Sequence, residues 1–309
     1  MRRAFRIGTR GSKLALWQAN FISNLISEKY PELRTEIQII KTTGDTMLSS
    51  PLSEIGGKGV FVKEIEDGLL SQKIDIAVHS MKDLPTILPE RLCIGAVAKR
   101  HDPRDVLLSK KGLTLSQLPE GAKVGTGSLR RASQLLHYRP GFKIVSIRGN
   151  VDTRIRKLRE SDEYDAIVLA MAGLERLGLG EEVTEIIAPE VMLPAPGQGI
   201  IAIECREEDI ETMDILRAIN HNETELQAIS ERAFLLKLGG DCNVPVGCYA
   251  LLRKESIKLS GIISSPDGKV IIKKEAYGSR DEAQQLGGQL AELVLADGGD
   301  KILEELSHS

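Results

Sequence analysis

Three short segments of the sequence repeat one chemistry. GTRGS at 8–12, GTGSLRR at 125–131 and IRGNVDTR at 147–154 each join glycine and arginine to small or hydroxyl residues, between a strand-like run and a helix-like run. A helix start offers unpaired N–H groups and the positive end of its dipole, and glycine lets an anion approach the backbone. Arginine adds a planar fork matched to carboxylate or phosphate. One such turn alone reads as a helix cap at Ser12 or Ser128 beside solvated arginines. Three of them in one chain point to an arginine-lined anion cleft. Phosphate remains as open as carboxylate, although GGKG around Lys58 lacks the GxxxxGK[ST] spacing of a nucleotide phosphate loop.

Two other segments carry reactive groups. HSMKDLP at 79–85 sets Lys82 and Asp83 in a polar turn after a strand. An aspartate among arginines stays ionised at neutral pH and can hold a cationic or N–H-bearing centre. The plainer reading is a turn-capping aspartate beside a surface lysine. Cys242, in LGGDCNVPVG, lies on a glycine-preceded loop from which a thiolate can form a stable carbon–sulfur bond. Free cysteine is more often a small buried hydrophobe, and the residues alone do not choose Cys242 over Cys248. The four cysteines and five histidines are scattered, with no CxxC or HExxH, which predicts free thiols and no metal site.

Strands alternating with helices must position these turns, the pattern of a layered α/β protein. FRIGT (5–9), EIQII (36–40) and KIDIAV (73–78) read as strands. Leu14, Trp17, Phe21 and Leu25 mark one face of a first helix, and Phe61, Ile65 and Leu69 another. Between them, 42–59 is rich in Gly, Ser and Thr and is predicted to be a mobile loop. KRHDPRD (99–105) and LPAPGQGI (193–200) interrupt the apolar pattern, and IIAIEC (200–205) returns the chain to the first sheet. From about 222 the rhythm becomes helix, strands, helix, with capping spacing at Asn222/Glu225 and Ser279/Glu282 and a hairpin around SPDG. The expected architecture is therefore a two-lobed, periplasmic-binding-protein-like α/β pair plus a smaller α+β domain. Its domains are 1–98 with 200–218, then 104–193, then 222–309.

Composition narrows the function classes. With 41 basic and 44 acidic residues the chain has no global field to gather nucleic acid or anionic membrane, and at 4% aromatic content it lacks stacking platforms for single strands. No apolar run is long enough to span a membrane and no leader is legible, so a cytoplasmic protein is expected.

GTRGSKLALWQ, GGKGVFVKEIE, DIAVHSMKDLP, GTGSLRR, RGNVDTR, AGLERLG, LPAPGQG and the Cys242 loop together resemble the porphobilinogen deaminase (hydroxymethylbilane synthase) family over essentially the whole chain. One departure is Asp241, where the family usually has glycine before the cysteine. The resemblance implies a monomeric transferase of haem-type pigment synthesis. It would condense four porphobilinogen units into hydroxymethylbilane, with loss of ammonia, on a dipyrromethane primer held by a thioether. It assigns the thioether to Cys242 and catalysis to Asp83. Lys82, Asp83, Ser128, Arg130 and Arg131 are implied as cofactor-binding. Arg10, Ser12, Arg148, Arg154 and Arg176 are implied as substrate-binding, with Lys58 and Phe61 flanking the active-site loop. Two rival readings are a non-catalytic anion-binding two-lobed protein and a phosphate-handling transferase; neither requires a covalent pyrrole.

Overall fold

The computed structural model describes residues 4–46, 62–239 and 244–307. In chain order the first elements are β1 (Phe5–Thr9), α1 (Lys13–Lys29), β2 (Thr35–Ile39), α2 (Thr43–Thr46), α3 (Lys63–Leu70), β3 (Ile76–Ser80) and β4 (Leu92–Val97). Then come β5 (Asp105–Ser109), β6 (Lys123–Gly125), α4 (Leu129–Tyr138), β7 (Lys143–Val145), α5 (Val151–Glu160), β8 (Ala166–Ala170), α6 (Met171–Arg176) and β9 (Glu185–Ile186). The remainder is β10 (Ile201–Arg206), α7 (Ile210–Arg217), α8 (Asn222–Lys237), β11 (Val246–Leu252), β12 (Ser256–Ser264), β13 (Ile271–Ser279), α9 (Ala283–Val294) and α10 (Asp300–Ser307).

Two compact units result, Met1–His101 with Ile200–Glu225, and Asp102–Gly199 with Leu226–Ser309. The first holds a mixed sheet ordered β2-β1-β3-β10-β4, in which β10 alone runs against its neighbours β3 and β4. As the sequence pattern predicts, the chain returns from its long excursion to this sheet. Alternation along the strands sends Ile76, Val78, Ile201 and Ile203 to one face, under α1 and α7, and Ala77 to the other, under Ile65 and Leu69 of α3.

The second unit repeats the plan with the order β7-β6-β8-β5-β9, where β5 is the antiparallel insertion. It also contains an antiparallel sheet, β11-β12-β13, covered by α9 and with its own core of Phe234, Leu259, Ile263 and Leu290. Fully buried Glu231 of α8 accepts from Gly197 N (2.7 Å) and Ala250 N (2.8 Å). Ser264 Oγ donates to Ser133 Oγ at 2.7 Å, joining β12 to α4. The α/β class and the additional small sheet are as expected.

Local readings needed three corrections. The first helix forms, but its deepest residues are Gln18, Ala19, Ile22 and Ile26, with Trp17 and Phe21 stacked on its flank at 5.3 Å. The third strand begins at Ile76 rather than 73, because Lys73 and Ile74 still donate to Gly68 O in the close of α3 and the Asp75 carboxylate pairs with Arg6. The cap of α8 is His221, whose Nδ1 accepts from Thr224 N (3.2 Å), rather than Asn222. At Ser279 and Glu282 the capping box is present, and β12 and β13 form the hairpin. Of the loop at 42–59, the first residues form α2, whose Thr43 N–H donates to Glu64 (2.8 Å), and the rest lies outside the described residues. Among the described residues no helix is long and apolar enough to cross a membrane.

Candidate functional site

In the first unit β1 and β3 are parallel neighbours, so their carboxyl ends open on one sheet edge, where ligands of α/β proteins bind. β1 leads into Arg10, Gly11 and Ser12. Ser12 Oγ accepts from Ala15 N at 3.2 Å, so this serine is a true helix cap. Buried Gln18 of α1 donates to Ser80 Oγ (2.9 Å) at the end of β3. That bond fixes the helix behind Ser12 to the strand that delivers Met81, Lys82 and Asp83. These three residues make one tight turn, closed by Leu84 N to Met81 O at 3.0 Å. Met81 is buried beneath it, Lys82 is half-buried and Asp83 is exposed. Arg10, Ser12, Lys82 and Asp83 are thus brought together on adjacent strand ends.

In the second unit β6 is flanked by parallel β7 and β8, and each of the three strands ends in a predicted site segment. β6 delivers Ser128 at the cap of α4, with Ser128 N donating to Thr126 Oγ1 at 3.2 Å. β7 delivers half-buried Arg148, then Gly149 with φ +113, then α5 with Arg154. The positive φ turns the chain sharply into the helix, and Arg154 Nε donates back to Gly149 O at 2.7 Å. β8 delivers α6 and Arg176, which is buried and donates to Gly199 O at 2.7 Å. Burial lowers the Arg176 pKa to about 10, against the opposing charge of Glu175.

Arg130 and Arg131 sit deeper than a solvent-facing cation would. Both are buried around Asp105, the fully buried first residue of β5. Arg130 Nη1 donates to Asp105 Oδ2 (2.7 Å) and Leu193 O (2.8 Å). Arg131 donates through Nε (3.0 Å) and Nη2 (2.7 Å) to Asp105 Oδ1, and through Nη1 to Val168 O (3.0 Å). Gln198 Nε2 adds a bond to Asp105 Oδ1 (2.9 Å) and one to Pro103 O (2.7 Å). Burial alone would raise the Asp105 pKa, but the charges of Arg130 and Arg131 outweigh it and hold the carboxyl below its ordinary range. Burial lowers the Arg130 pKa, with the charge of Asp105 opposing it. Sequence reasoning missed Asp105 and Gln198 because both lie in segments read as chain breaks. The signal available was an aspartate directly before the apolar run VLL.

Lys58, Phe61 and Cys242 lie outside the described residues. The family model described as "Porphobilinogen deaminase, dipyromethane cofactor binding domain" matches residues 5–214. A second, "Porphobilinogen deaminase, C-terminal domain", matches residues 225–296. The chain belongs to the porphobilinogen deaminase family. It is 50% identical over 303 residues to the porphobilinogen deaminase of Syntrophomonas wolfei subsp. wolfei, covering 98% of this chain and 99% of that one. Its identity to the porphobilinogen deaminase of Brevibacillus brevis is also 50% over 303 residues, covering 98% and 97%. With that of Geobacter sulfurreducens it is 48% over 301 residues, covering 97% and 94%. The chain is a transferase of tetrapyrrole synthesis that joins porphobilinogen units into hydroxymethylbilane with a covalent dipyrromethane cofactor. A non-catalytic anion-binding role is not favoured.

Proposed function

We propose that porphobilinogen units are joined head to tail with Asp83 as the catalytic group, the cations at the strand ends as holders of the acidic arms, and the Cys242 sulfur as the anchor. The observation that carries this reading is the exposed Asp83 at the same sheet edge as Arg10 and Ser12. A carboxylate there, backed by the buried Met81 and held by the Gln18–Ser80 bond, accepts pyrrole N–H groups and faces the positive charge that develops as ammonia leaves.

The donor chemistry fits a dipyrromethane, whose pyrroles each carry an acetate and a propionate. Ser128 supplies a hydroxyl at the start of α4 for the cofactor's carboxylates, and Arg148 and Arg154 supply guanidinium forks for the same kind of arm on incoming units. Arg130 is read as cofactor-binding, its guanidinium held in place by Asp105 and Leu193. When bound, the dipyrromethane supplies the electron-rich pyrrole carbon from which the chain grows. Arg131, Lys82 and Asp83 are likewise read as cofactor-binding. Arg10, Ser12, Arg148, Arg154 and Arg176 are read as the holders of incoming substrate, and Lys58 and Phe61 as flanking the site.

Residues 222–309 are read as a third domain beside 1–98 with 200–218 and 104–193, supported by the separate apolar core around Phe234. Free thiols at Cys93, Cys205 and Cys248 support a reducing, cytoplasmic setting, and the enzyme is read as a monomer. The decisive variant is Asp83→Ala. Turnover is expected to fall at least about 100-fold with the fold retained by circular dichroism. Turnover like that of the wild type would remove Asp83 from the reaction.

A further inference from the structure

The face of the first sheet beneath α3 holds three buried titratable groups with no role in the site as described so far. Glu66 projects from α3, His79 from β3 and Glu204 from β10, at 8%, 6% and 0% exposure. His79 Nε2 lies 3.1 Å from Glu204 Oε2, yet the angles do not make a hydrogen bond. Both Glu204 oxygens and Glu66 Oε1 are buried without a hydrogen-bond partner among the described residues. A native core rarely leaves so many polar atoms unsatisfied in one place without a reason. Ionising Glu66 would bury a charge facing Glu204, so this face is most stable while Glu66 keeps its proton.

The other charges on this face do not relieve it. Arg6 of β1 is engaged by Asp75 at 2.6 Å. Arg206 of β10 donates to Leu69 O and Ile74 O (both 2.8 Å) and to Asp209 (2.5 Å). Asp67 of α3 adds a further negative charge, and β4 contributes apolar Leu92 on this side. Burial first, then the charges of Glu204 and Asp67, push the Glu66 carboxyl up to about 7.

The cluster stands directly behind the turn that bears Asp83. His79 pairs with Ala202 and Ser80 with Ile201 in the β3–β10 ladder, and Met81 N donates to Ile200 O at 3.0 Å. A shift of β3 against β10 at His79 is therefore transmitted within two to four residues to Met81, Lys82 and Asp83. We propose that Glu66, His79 and Glu204 are positioning residues, a buried polar group that holds α3, β3 and β10 in register and thereby sets the turn that presents Asp83. The functional half of this inference rests on Asp83 serving the reaction. While Glu66 keeps its proton, this face is spared the charge of that carboxyl. Ionisation of Glu66 adds a buried negative charge beside Glu204 and loosens the contact between α3 and the strands.

The test combines pH profiles of kcat with hydrogen exchange. In the wild type kcat is expected to fall as pH rises through about 7, by about tenfold. That fall should vanish in Glu66→Gln, which mimics the protonated acid, and should move to lower pH in Glu204→Gln, where a neighbouring charge is gone. A role in packing alone would not move the limb in these two different ways. Exchange of wild-type peptides covering 77–84, corrected for the intrinsic pH dependence, is expected to lose about tenfold in protection between pH 6 and 8, and this arm needs no variant to fold. Protection that is flat with pH, or a limb unmoved in both variants, would overturn the proposal. The exchange arm is independent of Asp83 chemistry: pH-dependent protection together with a fully active Asp83→Ala enzyme would refute only the role given to Asp83.

Discussion

At the scale of single residues, the second unit depends on a charge balance that is easy to unset. Asp105 is fully buried between two buried guanidinium groups, so Asp105→Asn leaves two cations without their counter-charge. Breaking a buried pair by removing one partner typically costs about 3–5 kcal/mol, and a loss of that size is expected in the denaturant midpoint. The folded pKa is depressed below the ordinary 3.8, so the stabilisation is complete above that value and fades as pH falls through the lower folded value. Wild-type stability should therefore carry an acid-side loss that Asp105→Asn lacks, measurable by urea titrations across pH. Arg154 differs, being half-buried and tied to Gly149 O. Arg154→Ala should cost about 1.5–3 kcal/mol in transition-state binding, or about tenfold or more in kcat/KM, with little change in stability. Steady-state kinetics beside a thermal melt would check both halves.

At the scale of elements, the turns at strand ends were the most legible part of the sequence. Gly8 to Ser12, Gly125 to Arg131 and Ile147 to Arg154 all fall where a strand hands over to a helix, because capping residues and glycine act locally. Gly149 is the sharpest case. Its φ of +113 is costly for any side chain, and an added Cβ would approach the Thr153 side chain at 2.8 Å. Gly149→Ala is expected to cost about 1–2 kcal/mol and to weaken substrate binding through Arg148 and Arg154, as a lower melting temperature with a raised KM. What stayed hidden depends on tertiary partners. Asp105 looks like a linker residue until Arg130 and Arg131 fold over it. Trp17 and Phe21 look like the core face of α1, but the sheet meets the helix about one residue further round, at Gln18 and Ile22.

At the scale of the whole chain, two mixed sheets share one strand plan, and each takes its antiparallel strand just after the chain passes from one compact unit to the other. β5 follows the first passage and β10 the second. Alternating strands and helices made the α/β class readable, whereas the reversed direction of β5 and β10 followed only from their ladders. The proposed Cys242 anchor was legible through the family motif alone, since bare spacing left Cys248 as a rival; Cys248 is fully buried in β11. Intact-protein mass tests that anchor most directly. The purified wild-type enzyme should exceed its sequence mass by one dipyrromethane unit, Cys248→Ser should keep the excess and Cys242→Ser should lack it. An adduct that survives in Cys242→Ser, or a wild-type enzyme with no excess mass at all, would contradict the covalent attachment to the Cys242 sulfur.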